Sequence, residues 1–420
     1  MVPRSPDAGL PARDGLPLRL LLVLALLSAT APLSVDFYLA SFPAIASSLE
    51  TDAGAVQLTL TAFLVGLGVG QVLWGPVTDH LGRVRPLLVG CTVSTLAAAV
   101  AVLAPTIEVL IGARFVQALA GAAGIVVARA VIADLLEGFA AARAMSLMMT
   151  INSIAPVAAP AIGGAVAGHV PWRGVLGIVL AVTVLQLVGA LTTVRESLPP
   201  QRRTPRVQYA SLGRLFGRPA FLGYAATVLF TFGALMTYIS SSSFVYQGVL
   251  GTTELVYGLL FALNAIGLTI GGLVSARLAR RRVHPARTVS LALPVTVAST
   301  AAVLVVAVSP LPAWVLAMPL FPMVTSAGFV MGNTSALALQ QSRDVAGAGS
   351  ALVGGLMFLF GGVVSPLGGI AGDDTAVPMA LVMVVSSACA LGSFVLTRRY
   401  VRGHPAAERA FTAEVVTADR

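Results

Sequence analysis

Lysine is missing from this chain of 420 residues, and all 26 of its basic residues are arginine. A Walker A loop needs a lysine to reach the nucleotide phosphates, so the chain cannot hydrolyse ATP through that motif. Charge as a whole is scarce, at 10% of residues, which excludes an ordinary soluble domain. The two cysteines, Cys91 and Cys389, and the four histidines lack the spacing of metal ligands. Neither a disulfide framework nor a metal site is therefore expected.

Apolar residues are abundant instead, with 57% hydrophobic side chains and a mean hydropathy of +0.91. A membrane-spanning helix needs about 20 mostly apolar residues. The composition therefore predicts an all-α integral membrane protein with twelve transmembrane helices. We number these spans 1 to 12, and they lie at roughly 16–38, 55–77, 86–105, 108–131, 143–168, 174–194, 219–241, 255–277, 287–309, 311–334, 346–370 and 376–397.

The distribution of arginine predicts the orientation of the chain. With twelve spans and both ends in the cytoplasm, Arg173 is the only arginine expected outside, while Arg114 and Arg129 lie within span 4. Every other arginine falls in a tail or a cytoplasmic loop, as the positive-inside rule requires. The net charge of +9 follows from this bias and from contact with anionic lipid headgroups, and it indicates no nucleic-acid partner.

Three short matches indicate an internal duplication. Gly75–Arg83 recurs weakly at Gly271–Arg280, and Ala159–Gly164 recurs at Ser365–Gly369. Tyr38 near the end of span 1 has a counterpart in Tyr238 of span 7. Many transporters place their substrate between such repeats, near the middle of the bilayer. We therefore predict two pseudo-symmetric six-helix bundles.

The runs and the repeats divide the chain into five segments. Residues 16–198 are predicted to form the N-terminal bundle and residues 219–402 the C-terminal bundle. Residues 199–218 are interpreted as a cytoplasmic linker rich in arginine and proline, and residues 1–15 and 403–420 as cytoplasmic tails. A cleaved signal peptide is an alternative for the N-terminus, because residues 28–31 resemble a peptidase site. The proline that would follow the cut argues against it.

Several motifs resemble those of the major facilitator superfamily. Gly75–Arg85 resembles its loop 2–3 signature, Arg114–Ala123 resembles its helix 4 signature, and Pro156–Gly164 is similar to the helix 5 motif of its drug/proton antiporters. Together with Asp36–Pro43 and Gln57–Leu64, the likeness narrows to the Bcr/CflA drug-resistance branch, which includes chloramphenicol- and bicyclomycin-type exporters. The resemblance implies the major facilitator fold and proton-coupled efflux from the cytoplasm.

Asp36 is the acidic residue placed well inside a span, where an unpaired carboxylate costs several kcal/mol. We predict that it carries the coupled proton, although a hydrated carboxylate near the outer end of span 1 is the simpler alternative. Arg114 lies at a similar depth in span 4, and by resemblance these spans adjoin, so an ion pair is expected. Burial favours a neutral carboxyl whereas a nearby arginine favours a charged one. Movement of Arg114 could therefore load or release the proton.

A stripe of small and polar residues runs along span 4, because Arg114, Gln117, Gly121 and Gly124 repeat at three- and four-residue spacing. Simple helix packing is the alternative to a cavity-facing role. Polar and aromatic side chains in other spans complete the candidate substrate cavity. With Gln117, these candidates are Tyr38, Asn152, Tyr238, Ser241, Asn264, Met357 and Phe358. Such residues also staple helices or fill cores.

The span 5 motif contains two prolines, each of which removes a helical hydrogen bond, and two glycines that thin the helix. We expect a bend with close packing at Pro156, Pro160, Gly163 and Gly164. By family resemblance this bend favours export over import.

The loop between spans 2 and 3 is predicted to be a cytoplasmic gate. Its candidates are Gly75, Asp79, Gly82 and Arg83, with Asp134 at the inner end of span 4. Arg83 is expected to meet Asp134, while Asp79 faces the N-terminus of span 11 near residues 344–349. A merely solvated turn is the alternative. Because Ser275 stands where the second copy would have its acid, we expect the latch to be one-sided.

We conclude from the sequence that the chain exports small amphipathic antibiotics in exchange for protons, as a monomer in the bacterial plasma membrane. It needs no cofactor beyond the proton motive force. Transport of a polar metabolite is the alternative within transport. A polytopic enzyme or receptor is disfavoured, because no catalytic cluster or large extramembrane domain is visible.

Overall fold

The computed structural model describes residues 16–136, 138–204, 210–342, 346–370 and 375–403, and every regular element within these ranges is helical. The first half contains α1 (Leu18–Ser28), α2 (Thr30–Val35), α3 (Phe42–Ser48), α4 (Ala53–Leu81), α5 (Val84–Val102), α6 (Ile107–Leu135), α7 (Gly138–Ala167) and α8 (Trp172–Thr193). The second half contains α9 (Ala210–Leu215), α10 (Pro219–Phe244), α11 (Glu254–Arg280), α12 (Pro285–Val308), α13 (Ala317–Gln340), α14 (Ala346–Val364) and α15 (Val377–Gly403).

The described helices are long and apolar enough for a membrane. Eleven could each cross one, and the bent pair Leu18–Ser28 with Thr30–Ser48 raises the number to twelve. Large apolar side chains project from the spans, and Leu96, Leu191 and Leu291 are each at least 60% exposed. Exposed apolar side chains of this size are favourable in contact with lipid and unfavourable in contact with water. The predicted all-α integral membrane architecture is confirmed.

Span 1 differs from the continuous helix predicted over 16–38. It breaks after Ser28, turns by 54°, unwinds at residues 36–38 and continues to Ser48. Pro32 explains the first break, because its ring clashes with the carbonyl of the residue four positions earlier, which is Ser28. The prediction of an unbroken helix was therefore wrong, and the break decides where Asp36 lies.

Glycines set the helix packing in both halves. A Cβ on Gly66 of α4 would collide with the carbonyl oxygen of Phe115 in α6, so the two backbones touch. In the second half, Gly271 of α11 meets the carbonyl oxygen of Thr325 in α13 in the same way. Close approach through small residues is the usual means of helix association in membranes. Spans 2 and 4 thus pack as spans 8 and 10 do, in keeping with the duplication seen in the sequence.

Below, the inner side is the one on which the predicted orientation places both termini, and the outer side is the opposite one. The loops joining α4 to α5 and α11 to α12 lie on the inner side. The unwound part of span 1 and the N-termini of α4 and α11 lie toward the outer side.

Candidate functional site

Asp36 lies in the turn where span 1 unwinds. Its backbone N–H donates to the carbonyl oxygen of Pro32 and ends α2. The residue is buried, with 7% of its surface exposed. Tyr257 of α11 lies close enough to interact with the Asp36 carboxyl electrostatically. A buried acid therefore lies at the boundary between the two halves.

Arg114 is fully buried within α6. One Nη donates to Gln117 Oε1 at 2.7 Å and the other to the carbonyl oxygen of Ser34 at 2.5 Å. Its guanidinium carbon lies 4.4 Å from the ring centroids of both Tyr38 and Phe63. Carbonyl groups at a helix C-terminus and aromatic faces both attract a cation. The cluster holds a buried charge without a carboxylate.

The expected ion pair between Asp36 and Arg114 does not form. The ion pairs among the described residues join Arg83 to two aspartates and Arg203 to Glu196. Two consequences of the break in span 1 explain this. The carbonyl of Ser34, near the end of α2, becomes an acceptor for the arginine, and Asp36 lies beyond the last helical turn. Matched depth along two straight helices could not reveal either effect.

The two predicted tyrosines occupy equivalent places in the two halves. Tyr38 shares a hydrogen bond with Thr59 of α4 at 3.0 Å between hydroxyl oxygens. Tyr238 accepts a hydrogen bond from Asn264 of α11 at 2.7 Å, and its ring stacks on Phe261 at 5.8 Å between centroids. Each tyrosine is thus bonded to the following span of its own half. The pairing that the sequence repeat indicates is present in the structure.

Asn264 also lines a groove of about 430 Å³ between the segment that follows α10, the helix α11 and the start of α13. Tyr246 also lines this groove, and its buried hydroxyl lies close to Asn264 and to the hydroxyl of Tyr238. Trp314 and Met318 form the exposed edge of this groove. The predicted cavity residue Asn264 therefore lines an open space.

Polar side chains join the two halves near the outer side. Gln57 Nε2 of α4 donates to Ser241 Oγ of α10 at 3.5 Å. The hydroxyl groups of Thr61 and Ser365 lie 3.3 Å apart. Ser241 was predicted as a cavity residue, whereas Gln57 and Ser365 were quoted only within motifs. All four are buried or partly buried, so these contacts lie inside the closed boundary between the halves.

The remaining cavity candidates pack against their neighbours. Phe358 of α14 meets Phe232 edge-to-face at 5.3 Å between ring centroids. Met357 is partly buried against the core. Asn152 of α7 donates to the hydroxyl of Ser28 at the break in span 1, and its Oδ1 has no hydrogen-bond partner. Contact of these three side chains with a substrate stays a prediction.

The span 5 motif forms a seal on the outer side. A Cβ on Gly258 of α11 would lie 2.5 Å from the carbonyl oxygen of Pro160, and one on Gly164 would collide with the carbonyl oxygen of Glu254. Gly163 meets the backbone of Phe37 in span 1 with equal closeness. Because no side chain separates these backbones, the two halves touch directly here.

A second pair of spans extends this outer closure. Gly68 of α4 and Gly355 of α14 touch, since a Cβ on Gly68 would lie 2.7 Å from the carbonyl oxygen of Gly355. Nearer the outer side, Gln247 Nε2 donates to the carbonyl oxygen of Ala40 at 3.0 Å, which links the ends of spans 7 and 1. The structure is thus closed on its outer side.

Arg83 is the centre of the predicted inner latch. Its guanidinium binds Asp134 through Nε at 2.8 Å and Nη2 at 3.2 Å, and Asp79 through Nη1 at 2.6 Å. Burial lowers the pKa of Arg83, but the two aspartates outweigh this effect and raise the pKa above its usual value. The contact between Arg83 and Asp134 expected from the sequence is present. The charge on Arg83 is held at any physiological pH.

Asp79 has Arg83 as its ion-pair partner and is 52% exposed at its side chain. The segment expected to receive it, near residues 344–349, lies partly outside the described residues. Gly82 has a φ of 91°, which a residue with a side chain rarely adopts. By contrast, a Cβ added to Gly75 would have open space within 4 Å. In the second half Ser275 accepts a hydrogen bond from Asn333 in place of an acid pair.

Residues after α8 cover the latch, which the sequence motifs did not predict. Glu196 accepts from the backbone N–H of Arg83 at 2.9 Å and forms an ion pair with Arg203 at 3.5 Å. Ser197 donates to Asp134 at 2.7 Å, and the carbonyl oxygen of Thr204 lies 2.8 Å from His80 Nδ1. The sequence does contain a pattern that could have predicted this cover. Glu196 stands at the inner end of span 6, and an arginine-rich linker follows it.

Similar proteins identify the family to which this chain belongs. The sequence profile of the Major Facilitator Superfamily matches residues 24–369. The chain is 34% identical to the uncharacterized MFS-type transporter YdgK of Bacillus subtilis (strain 168), over 91% of this chain and 96% of that protein. It is 28% identical to the bicyclomycin resistance protein homolog of Haemophilus influenzae, over 86% of this chain and 92% of that protein.

A solved structure shows the same fold. It is a bacterial homolog to the human lysosomal transporter Spinster, in an inward-facing and occupied conformation. The TM-score is 0.69 at 16% identity, and the match covers 93% of this chain and 98% of that chain. The relatives are consistent with the Bcr/CflA branch that the motifs resemble. From the profile match, the relatives and the twelve-span architecture together, the chain belongs to the major facilitator superfamily and is a membrane transporter.

Proposed function

We propose that this transporter exports small amphipathic antibiotics across the bacterial plasma membrane in exchange for protons, with both termini in the cytoplasm. Similarity to a protein named for bicyclomycin resistance supports an antibiotic as cargo. The placement of arginine supports the orientation. The inner side is then cytoplasmic, and the described state is closed toward the outside.

The burial of Asp36 without a cationic partner among the described residues carries this proposal. A carboxylate in such a place costs several kcal/mol, so the neutral, protonated form is favoured. A cation-binding cluster around Arg114 begins two residues away in sequence, at Ser34. A small change at the unwound turn could bring the two groups together and expel the proton. Asp36 thus has the properties of a proton carrier whose affinity depends on conformation.

The proposed transport cycle alternates closure of the outer side with closure of the inner side. The outer seal between α7 and α11 opens as the halves rock, and the inner ends of the two halves come together beside Arg83, which is already bound to Asp79 and Asp134. Asp36 takes up a proton from outside, and the halves return to the outer-closed state described above. Loss of the proton to the cytoplasm then permits the drug to bind, so proton and drug compete for one cavity.

The driving force is sufficient for this exchange. An inward proton releases about 2.3 kcal/mol per 100 mV of membrane potential and about 1.36 kcal/mol per pH unit. With one unit and 100 mV together, about 3.7 kcal/mol supports an outward gradient of a neutral drug of roughly 500-fold.

Proton release on drug addition tests the proposal. In proteoliposomes with a pH-sensitive dye, chloramphenicol or bicyclomycin should release protons from the wild-type protein, and Asp36→Asn should abolish the signal. Asp52→Asn is the matched control, because Asp52 caps α4 by accepting from the N–H of Ala55 at 2.7 Å and asparagine can do the same. Unchanged release from Asp36→Asn would refute the role of Asp36.

The same assay distinguishes the cargo. If no antibiotic releases protons from the wild-type protein but a polar metabolite does, the drug assignment is wrong and proton coupling stands. If a drug moves without any proton signal, coupling is wrong and the drug assignment stands.

A further inference from the structure

An apolar groove faces the bilayer between α11, α12 and α13 in the second half. It has a volume of about 640 Å³, within the range of about 300–1,000 Å³ that is usual for small-molecule sites. Its walls include Leu291 and Val295, which are 68% and 46% exposed, and the aromatic ring of Phe329. Because these side chains open to the side of the molecule, a lipid chain can enter the groove directly from the membrane.

Arginines surround the inner end of this groove. Arg287 lines the groove itself. A neighbouring depression of about 400 Å³ shares Leu278 with the groove and is lined by Arg277, Arg280 and Arg281. All four arginines are exposed, and they lie at the loop between α11 and α12. Apolar groove and basic rim therefore adjoin at the depth where lipid headgroups meet water.

In the described part of the second half, these arginines have no acidic partner like those of Arg83 in the first half. There, Arg83 is bonded to Asp79 and Asp134. Between residues 210 and 403, the one carboxylate that the structure describes is Glu254, which begins α11 at the opposite side of the membrane. Ser275 occupies the place of the acid in the second copy of the motif. Among the described residues, the loop between α11 and α12 thus has exposed cations and no acid beside them.

We propose that this groove and its rim bind an anionic phospholipid. One acyl chain fills the groove between α12 and α13, and the phosphate lies among Arg277, Arg281 and Arg287. Clusters of arginine at the cytoplasmic end of transmembrane helices attract anionic headgroups in this way. The drug is a poor occupant by comparison, because the groove opens to lipid and not to the boundary between the halves. Lipid binding at this groove is independent of which substrate the protein transports.

Lipid retention tests the charged rim. The purified full-length protein would be titrated with phosphatidylglycerol and, separately, phosphatidylcholine in detergent, with bound lipid counted by native mass spectrometry. The triple variant Arg277→Gln/Arg281→Gln/Arg287→Gln should bind phosphatidylglycerol roughly 100-fold more weakly, from about fivefold per arginine. The control triple variant Arg19→Gln/Arg143→Gln/Arg195→Gln removes the same charge from the inner side of the first half and should bind normally. Equal weakening in both triple variants would overturn the proposal.

A groove variant tests the acyl chain independently. Val295→Trp should fill the groove and displace the lipid, whereas Val305→Trp, at another exposed position of α12, should not. Inorganic phosphate at the same concentrations should not compete with the lipid. Full competition by phosphate, or normal retention by Val295→Trp, would show that the rim binds anions without the groove and would overturn the proposal.

Discussion

The two ion pairs of Arg83 differ in burial, and this difference predicts unequal coupling energies. The side chains of Arg83 and Asp134 are 8% and 16% exposed and are joined by two hydrogen bonds. Such a pair should contribute a coupling of about 2–3 kcal/mol. Asp79 is closer, at 2.6 Å, but is 52% exposed. Screening by water should reduce its coupling to about 0.3–1 kcal/mol.

Double-mutant cycles measure these couplings directly. Arg83→Gln would be combined with Asp134→Asn in one cycle and with Asp79→Asn in another, and unfolding followed in mixed micelles with increasing dodecyl sulfate. Arg83→Gln alone should cost about 2–4 kcal/mol, because it leaves the Asp134 carboxylate partly buried without its cation. The shorter distance would make Asp79 the stronger partner if geometry alone decided. A coupling to Asp79 equal to or above that to Asp134 would therefore refute the reasoning from burial.

Substitutions at three glycines and at one buried amide should change stability or the outer seal by amounts that the local packing predicts. Gly82→Ala should destabilise the protein by about 1–3 kcal/mol in the same unfolding assay, because of its positive φ and the Glu196 carboxylate 2.5 Å from a Cβ. Gly75→Ala should be neutral or slightly stabilising, since its space is open. Gly258→Val should hold the outer seal open and raise labelling of an outer-side cysteine by a membrane-impermeant maleimide, and labelling at the wild-type level would contradict this. Asn264→Leu should cost about 1–3 kcal/mol by leaving a buried tyrosine hydroxyl without its donor, and a thermal shift within error of wild type would disprove that.

The latch and the lipid groove show how duplicated segments diverge. In the first half Arg83 is neutralised by acids from α4 and α6, and the segment after α8 covers it. In the second half the equivalent loop retains exposed arginines, and a hydrogen bond between Asn333 and Ser275 replaces the acid pair. The one-sided latch predicted from Ser275 agrees with this arrangement. Its action as a gate stays a proposal.

The architecture could be predicted from the amino-acid sequence, because a bilayer imposes strong requirements on composition. Spans must be about 20 apolar residues long, and arginine must avoid one side. Local motifs also identified the close packing at Pro160 and Gly164 and the pairing of Arg83 with Asp134. Close backbone packing requires small residues such as glycine, and an arginine and an aspartate on the same side of the membrane attract each other, so the residue types themselves predict these contacts.

Which buried groups meet depends on tertiary packing and could not be predicted. The sequence placed Asp36 and Arg114 at matched depth, yet the break at Pro32 brings the Ser34 carbonyl to the arginine and leaves the acid buried without an ion-pair partner among the described residues. A helix break redirects every later side chain of the span, so matched depth along a straight helix no longer places the side chains. Contacts between distant spans, such as Gln57 with Ser241, likewise depend on how the two halves close. Those distances arise only once the helices have packed, which is why the spans could be recognised in the chain and the chemistry between them could not.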